Sequence, residues 1–213
     1  VGPDVAQLNE IVAFSRGIAK LHPSARSALE IGGHSARWVT LESGGGLSDY
    51  GQNQLCAAGS GVFLEQQASR LKMSVEELSA LAANARRGAT IAGRCSVFAK
   101  SDMIHLQQKG TPVDEIAFGL CLAVARNFLS TVLKGRTLSL PLVMAGGGAA
   151  NGGLVRAFTE VLELDPKQLT CSAHPGAESA YGAAHAALLD PSYPEHTLEH
   201  LLSRLRQRDL VLE

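Results

Sequence analysis

A near-continuous apolar run from Leu138 to Ala145, Leu-Ser-Leu-Pro-Leu-Val-Met-Ala, leads directly into Gly146-Gly147-Gly148 and then into a helical pattern over 151–162. Buried strand, glycine turn, helix is the unit from which α/β sheets are built. The rest of the chain agrees with it. Residues 5–20 read as a helix with Val5, Leu8, Ile11, Val12, Phe14 and Ile18 on it, broken at His22-Pro23-Ser24. A short strand over 27–31 ends in Gly32-Gly33, and a second over 38–41 pairs with it as a hairpin. After Gly44-Gly45-Gly46, residues 47–55 are extended. Helices follow at about 60–71, at 74–84 behind the capping box Ser74-Val75-Glu76-Glu77, at about 98–109, and at about 113–134 after Pro112. A strand over 167–171, a small-residue helix over 176–189 suited to close packing on a sheet, and a terminal helix over 198–206 complete the order. The fold class is α/β, a sheet with a helical insertion between about 60 and 135.

With 213 residues, 46% apolar and 18% charged, the chain can bury one large domain or two small lobes. A net charge of -1 without basic runs gives no nucleic-acid surface, and Arg204, Arg206 and Arg208 read as a solvated helix face. No stretch reads as about 18 apolar residues able to span a bilayer, and residues 1–20 lack signal-peptide character. The expected location is the cytoplasm, where four cysteines point to metal, catalysis or burial before disulfides.

The chemistry-bearing candidates are glycine turns and two thiols. Gly32-Gly33 lies between strands and serves a plain hairpin equally well. Gly146-Gly147-Gly148, with Asn151, stands at the carboxyl end of a buried strand, where α/β sheets bind ligands. Neither run has the spacing of the Walker phosphate loop or the dinucleotide fingerprint. Cys121 in the long helix and Cys171 in a short strand read as small buried hydrophobes. Cys56 and Cys95 differ, because each precedes a helix, where the dipole and unpaired N–H groups favour a thiolate. Two thiolates do not complete a tetrahedral or four-iron set, so either a twofold partner supplies two more or both remain unligated. The seven histidines show no close metal-ligand spacing beyond His196 and His200 on a polar helix.

Taken in order, Ile31-Gly32-Gly33, Cys56-Ala57-Ala58-Gly59-Ser60-Gly61-Val62-Phe63-Leu64-Glu65, Cys95-Ser96-Val97-Phe98-Ala99, Met144-Ala145-Gly146-Gly147-Gly148-Ala149-Ala150-Asn151 and Gly182-Ala183-Ala184 resemble a known family over about residues 5–189. It is the BadF/BadG/BcrA/BcrD ATPase family, the activators of 2-hydroxyacyl-CoA dehydratases and benzoyl-CoA reductases. The resemblance implies an actin/hsp70/sugar-kinase-like, ribonuclease H-like lobe. It implies ATP with Mg²⁺ and one 4Fe-4S cluster at a twofold interface, in a homodimer or with a duplicated sister domain. It also implies delivery of a low-potential electron to an acyl-CoA dehydratase or reductase. By resemblance Cys56 and Cys95 are the metal ligands. Gly32, Gly33 and the adjoining His34 form the second phosphate-binding turn, and Gly146, Gly147, Gly148 and Asn151 the adenosine side. No residue is assigned a catalytic role.

The chain departs from the family pattern at several points. The usual Asp-Ile-Gly-Gly-Gln-Asp is Glu30-Ile31-Gly32-Gly33-His34-Ser35 here, without the second acid expected to help hold Mg²⁺, and Lys100 stands where Glu is frequent. The first phosphate loop of the family, Asp-x-Gly-Ser/Thr, is expected in an amino-terminal lobe before Val1. Residues 1–213 are therefore expected to be a single lobe, the carboxyl-terminal half of a nucleotide cleft, from a longer protein. The alternative function is a sugar-kinase-like or regulatory nucleotide-binding module without a cluster.

Overall fold

The computed structural model describes residues 7–53, 60–92 and 96–190, with Thr197, Glu199, Leu202 and Ser203. Cys56, Cys95 and most of the helix expected over 198–206 lie outside the described residues.

Five strands, β1 (Ser27–Ile31), β2 (Ala36–Leu41), β3 (Leu47–Gln52), β4 (Leu142–Ala145) and β5 (Leu169–Cys171), form one sheet in the order β3-β2-β1-β4-β5. The hairpin expected between β1 and β2 is present, with Ala28 opposite Val39 and Glu30 opposite Arg37. β4 runs parallel to β1, and β5 parallel to β4. β2 alone opposes the others in direction. Every residue of β1 and of β4 is buried, because helices cover both faces of the sheet's centre.

One face is covered by α1 (Glu10–Leu21), which begins where Asn9 Oδ1 accepts a hydrogen bond from the Ile11 N–H at 2.9 Å. Its Ile11, Phe14 and Ile18 recur at helical spacing and pack on Ala28, Val39, Leu41, Val143 and Ala145. On the other face lie α2 (Gly61–Arg70), α3 (Val75–Asn84), α4 (Ser96–Gln108), α5 (Val113–Phe128) and α6 (Gly152–Val161). Leu29, Ile31, Trp38, Leu142 and Met144 of the sheet share a single core with Phe63, Leu78, Met103, Phe118, Phe128 and Phe158 of these helices. Each such fully buried Phe or Leu contributes about 1.5 to 3 kcal/mol. The helices between 60 and 135 thus share the sheet's core. The capping box at α3 forms as expected, with the Glu77 N–H donating to Ser74 Oγ at 3.1 Å and the Ser74 N–H to the Glu77 carboxylate at 2.7 Å.

α5 continues through a π turn, Leu129–Leu133, and ends at Lys134 and Gly135, both left-handed. The Trp38 indole N–H donates to the Val132 carbonyl at 3.0 Å, anchoring that turn to the sheet. By length and composition Val113–Leu133 is long and apolar enough to cross a membrane, contrary to the reading that no stretch is. Its most apolar 18-residue window is 78% buried inside the protein, so its apolarity is that of a core helix.

α7 (Glu178–Leu189) does not pack on the sheet as expected. It crosses the outer side of α1, stacking Glu178, Gly182 and Ala186 against Ala13 and Gly17. A Cβ built on Gly182 would overlap the Ala13 carbonyl oxygen, and one on Gly17 the Glu178 carbonyl oxygen, so two backbones meet where neither helix carries a side chain. The small residues read from the sequence serve a helix crossing. Cys171 also differs from expectation: it is exposed, because in the edge strand β5 only Leu169 turns into the core. Cys121 is buried as expected, and burial pushes its thiol up to about 12.

The crossing sets a prediction. Gly182→Ala lowers the urea unfolding midpoint by an amount worth about 2 to 3 kcal/mol with m unchanged. Ala184→Ser on the exposed side of the same helix stays within about 0.5 kcal/mol.

Candidate functional site

The carboxyl ends of β1 and β4 are adjacent, and each opens into one of the glycine turns singled out from sequence. The two turns meet. Gly146 adopts φ +71°, and a Cβ there would lie 2.7 Å from the Ile31 carbonyl oxygen. A Cβ on Gly148 would lie 2.7 Å from the Ile31 Cβ. Any side chain at either position would push β4's turn off the end of β1.

The β1 turn, Gly32-Gly33-His34-Ser35, is closed by the Gly32 N–H donating to the Ser35 carbonyl at 2.7 Å. Asn53, the residue after β3, clamps it, donating to the His34 carbonyl at 3.3 Å and accepting from the Ala36 N–H at 2.9 Å. Gly33, His34 and Ser35 are exposed, and a Cβ on Gly33 would meet nothing within 4 Å. The turn's carbonyls are engaged. Gly32 C=O accepts from the Gly61 N–H and Gly33 C=O from the Val62 N–H, each at 2.8 Å. These are first-turn donors of α2, the helix that follows the Cys56 segment. Among the described residues, the N–H groups of Gly33 and His34 donate to no acceptor.

The β4 turn passes through one tight 3₁₀ turn, Gly147–Ala150, into Asn151, which caps α6 by accepting from the Leu154 N–H at 2.9 Å. The Asn151 side chain is buried, and its Nδ2 has no acceptor among the described residues. A cavity of about 420 Å³ separates Gly147, Ala150 and Asn151 from Val75, Glu76, Ser79 and Ala83 of α3. The Glu76 carboxyl at its edge is held below the usual carboxylate range by its own backbone N–H and by Ser74. Arg156 of α6 fixes the spacing of the cavity walls. Its guanidinium donates to the carbonyls of Ala82, Ala83 and Ala85 at the end of α3, and lies 3.8 Å from the Phe118 ring centroid.

A buried ion-pair system under β1 escaped the sequence reading. Arg37 Nε donates to Glu30, and Arg37 Nη2 to Glu10 at 2.6 Å, with the guanidinium 5.3 Å from the Phe14 ring centroid. Arg37 and Glu30 are 4% and 8% exposed, whereas the Glu10 side chain is open to solvent. Burial raises the Glu30 carboxyl above its ordinary value, and the bond to Arg37 opposes that rise. The observed register puts 30 opposite 37, a pairing that the expected hairpin, with its second strand beginning at 38, did not contain.

Cys56 and Cys95 lie outside the described residues, but their flanks are placed. α2 starts beside the β1 turn, and Asp102 of α4 accepts from the Ala92 N–H at 2.7 Å, tying α4 back across the Gly93-Arg94-Cys95 segment. Lys100 is exposed on α4. Among the described residues no group of three or more His, Cys, Asp or Glu is arranged to hold a metal. The structure therefore brings together Gly32, Gly33, His34, Gly146, Gly147, Gly148 and Asn151.

The strand order, the central parallel pair and the two turns at its carboxyl end define a lobe of the actin and hsp70 type. The BadF/BadG/BcrA/BcrD ATPase family model matches residues 3–187, and the chain belongs to that family. It is 37% identical over 182 residues to the activator of lactoyl-CoA dehydratase of Anaerotignum propionicum, covering 84% of this chain and 70% of that protein. It is 32% identical over 169 residues to the 2-hydroxyisocaproyl-CoA dehydratase activator of Clostridioides difficile, covering 77% of this chain and 63% of that one. The solved structure of the Clostridium difficile activator with bound ADPNP superposes with a TM-score of 0.77 at 28% identity, over 90% of this chain and 72% of that one. The chain thus spans about two thirds of the length of these relatives.

The ion-pair system gives a prediction. Arg37→Met alone costs about 3 to 5 kcal/mol in unfolding free energy, because it leaves the Glu30 carboxylate buried without a partner. Arg37→Met combined with Glu30→Leu recovers most of that loss, and a double-mutant cycle by denaturant titration measures it.

Proposed function

We propose that this chain is one lobe of a cytoplasmic ATP-dependent activator that passes a low-potential electron to an acyl-CoA dehydratase or reductase. In this reading residues 1–213 form a single nucleotide-binding lobe with its helical insertion, and an amino-terminal lobe completes the cleft. Nucleotide phosphates are received at Gly32, Gly33 and His34. The nucleoside side lies along Gly146, Gly147 and Gly148, in the cavity beside α3, where the unsatisfied Asn151 amide supplies a buried donor.

The observation that carries the proposal is how the β1 turn is wired. The Gly32 carbonyl and the Gly33 N–H belong to one planar peptide, as do the Gly33 carbonyl and the His34 N–H. On one side these planes present carbonyls that hold α2 by its first N–H groups. Their N–H groups are left for an anion. A phosphate that draws on them reorients the planes, and the carbonyls move the start of α2 with them. The segment displaced is the one that follows Cys56.

Cys56 and Cys95, with the same pair from a second copy or a sister domain, form the donor set of a 4Fe-4S cluster, which would supply one-electron transfer. The two thiols per chain and the tethering of both flanks, at Gly61–Val62 and at Ala92, suit that role. Mg²⁺, the other group the family implies, does not fit the acids of this lobe, since Glu30 is taken by Arg37 and Ser35 carries no charge.

Anaerobic iron and sulfide analysis with EPR on the intact protein tests the cluster: Cys56→Ala with Cys95→Ala abolishes the signal. An iron-free wild-type protein that binds ATP would instead establish the sugar-kinase-like or regulatory alternative. The wiring is tested by Gly61→Pro. Proline is tolerated at the first position of a helix, and Ser60 is already extended at φ -133°, ψ 171°, as a residue before proline prefers. The substitution deletes the N–H that bonds Gly32 and sets ring carbons against that carbonyl, where a Cβ alone would lie 3.2 Å away, so it parts α2 from the turn. Iron content stays at the wild-type level, while the nucleotide-dependent change in cluster accessibility to a chelator falls about fivefold or more.

A further inference from the structure

The acid at the end of β1 is already engaged by a cation of the protein's own. Glu30 pairs directly across the hairpin with Arg37, so both side chains project from the α1 face of the sheet, above Phe14. Arg37 is consumed by this arrangement, with Nε on Glu30, Nη2 on Glu10 at 2.6 Å and its flat face over the ring. To ligate a cation in the cleft, Glu30 would have to leave a guanidinium that is 4% exposed, whose other direct partner is the solvent-exposed Glu10. Mg²⁺ requires near-ideal octahedral oxygen geometry, and next to nucleotide phosphates it relies on one or two carboxylates.

The second acid of the family pattern is absent as well. Ser35 is exposed, but its hydroxyl turns back over the turn, so that a Cβ on Gly32 would lie 2.7 Å from Ser35 Oγ. A neutral hydroxyl adds no charge to balance a dication. What the turn offers instead is anion chemistry: the N–H groups of Gly33 and His34, with the exposed His34 side chain at the tip. On the nucleotide reading above, we propose that this lobe binds nucleotide phosphate through backbone donors without a carboxylate ligand to Mg²⁺. This lobe's share of the affinity is then independent of the metal, and the lobe acts as a nucleotide-responsive switch, not as the half that positions Mg²⁺ for phosphate cleavage.

The test is calorimetric titration of a non-hydrolysable ATP analogue into the intact protein, once in EDTA and once in excess Mg²⁺. The ratio of the two dissociation constants is expected to agree within about threefold between the wild-type protein and Glu30→Gln, and Ser35→Asp is expected to raise it about tenfold. A Mg²⁺ dependence of about tenfold or more that Glu30→Gln abolishes overturns the inference and leaves the nucleotide site standing. Failure of Ser35→Asp to gain metal dependence overturns the part assigned to position 35. Absence of binding in both buffers overturns the nucleotide reading itself, and this inference with it.

Discussion

The end of β1 is approached from two sides more closely than a side chain allows. β4's turn rests on it because Gly146 and Gly148 have no Cβ, and α2's first residue reaches its turn because Gly61 has none: a Cβ there would lie 3.2 Å from the Gly32 carbonyl oxygen. Close packing makes such contacts stiff, since a shift of a few tenths of an ångström in one partner is felt by the other. Three segments distant in sequence therefore share one mechanical point, and it lies at the carboxyl edge of the parallel strands.

The same point determines what α2's N-terminus can do. A free helix start attracts anions through its dipole and unpaired donors. Here the first two N–H groups are already taken by Gly32 and Gly33 carbonyls, so they are not open to an anion and the helix start follows the orientation of the turn. The unengaged donors are one peptide edge away, on the turn. A ligand and a helix that bind opposite edges of the same planar units are coupled without any contact between them, in keeping with allostery as a differential interaction with two arrangements of one element.

Much of this was legible in the sequence, because the signals are local. The Ser74–Glu77 capping box, the apolar face of α5, the glycine turn after β4 and the β1–β2 hairpin depend on residues a few positions apart. The features that escaped depend on what comes near in space. Gly182 reads as helix-to-sheet packing until α1 is seen to lie between α7 and the sheet, and Cys171 reads as buried until β5 is seen to be an edge with one residue turned inward. The Glu30–Arg37–Glu10 system joins residues of one hairpin to a helix whose start, at Glu10, had no reason to face them in sequence alone. Of the site, the two glycine turns could be named from their position after strands, but their contact through Gly146 and Ile31 could not.

The buried ion pair gives the departures from the family motif a common physical sense. Lengthening an acid by one methylene at position 30 would by itself leave a carboxylate free to swing toward the cleft. Arg37, opposite it in the ladder, removes that freedom, and Glu10 with Phe14 holds the guanidinium in turn. A buried pair of this kind contributes little net stability compared with apolar residues of the same shape, yet removing one partner is costly. Its consequence here is positional: it closes one side chain off from the cleft while leaving the backbone of Gly32 and Gly33 untouched. The turn can then keep its grip on α2 and its capacity for an anion after the acid beside it has been withdrawn. The hold on α2 and the engagement of the acid beside the turn are carried by separable parts of this chain, the one by the turn's backbone and the other by the Glu30 side chain.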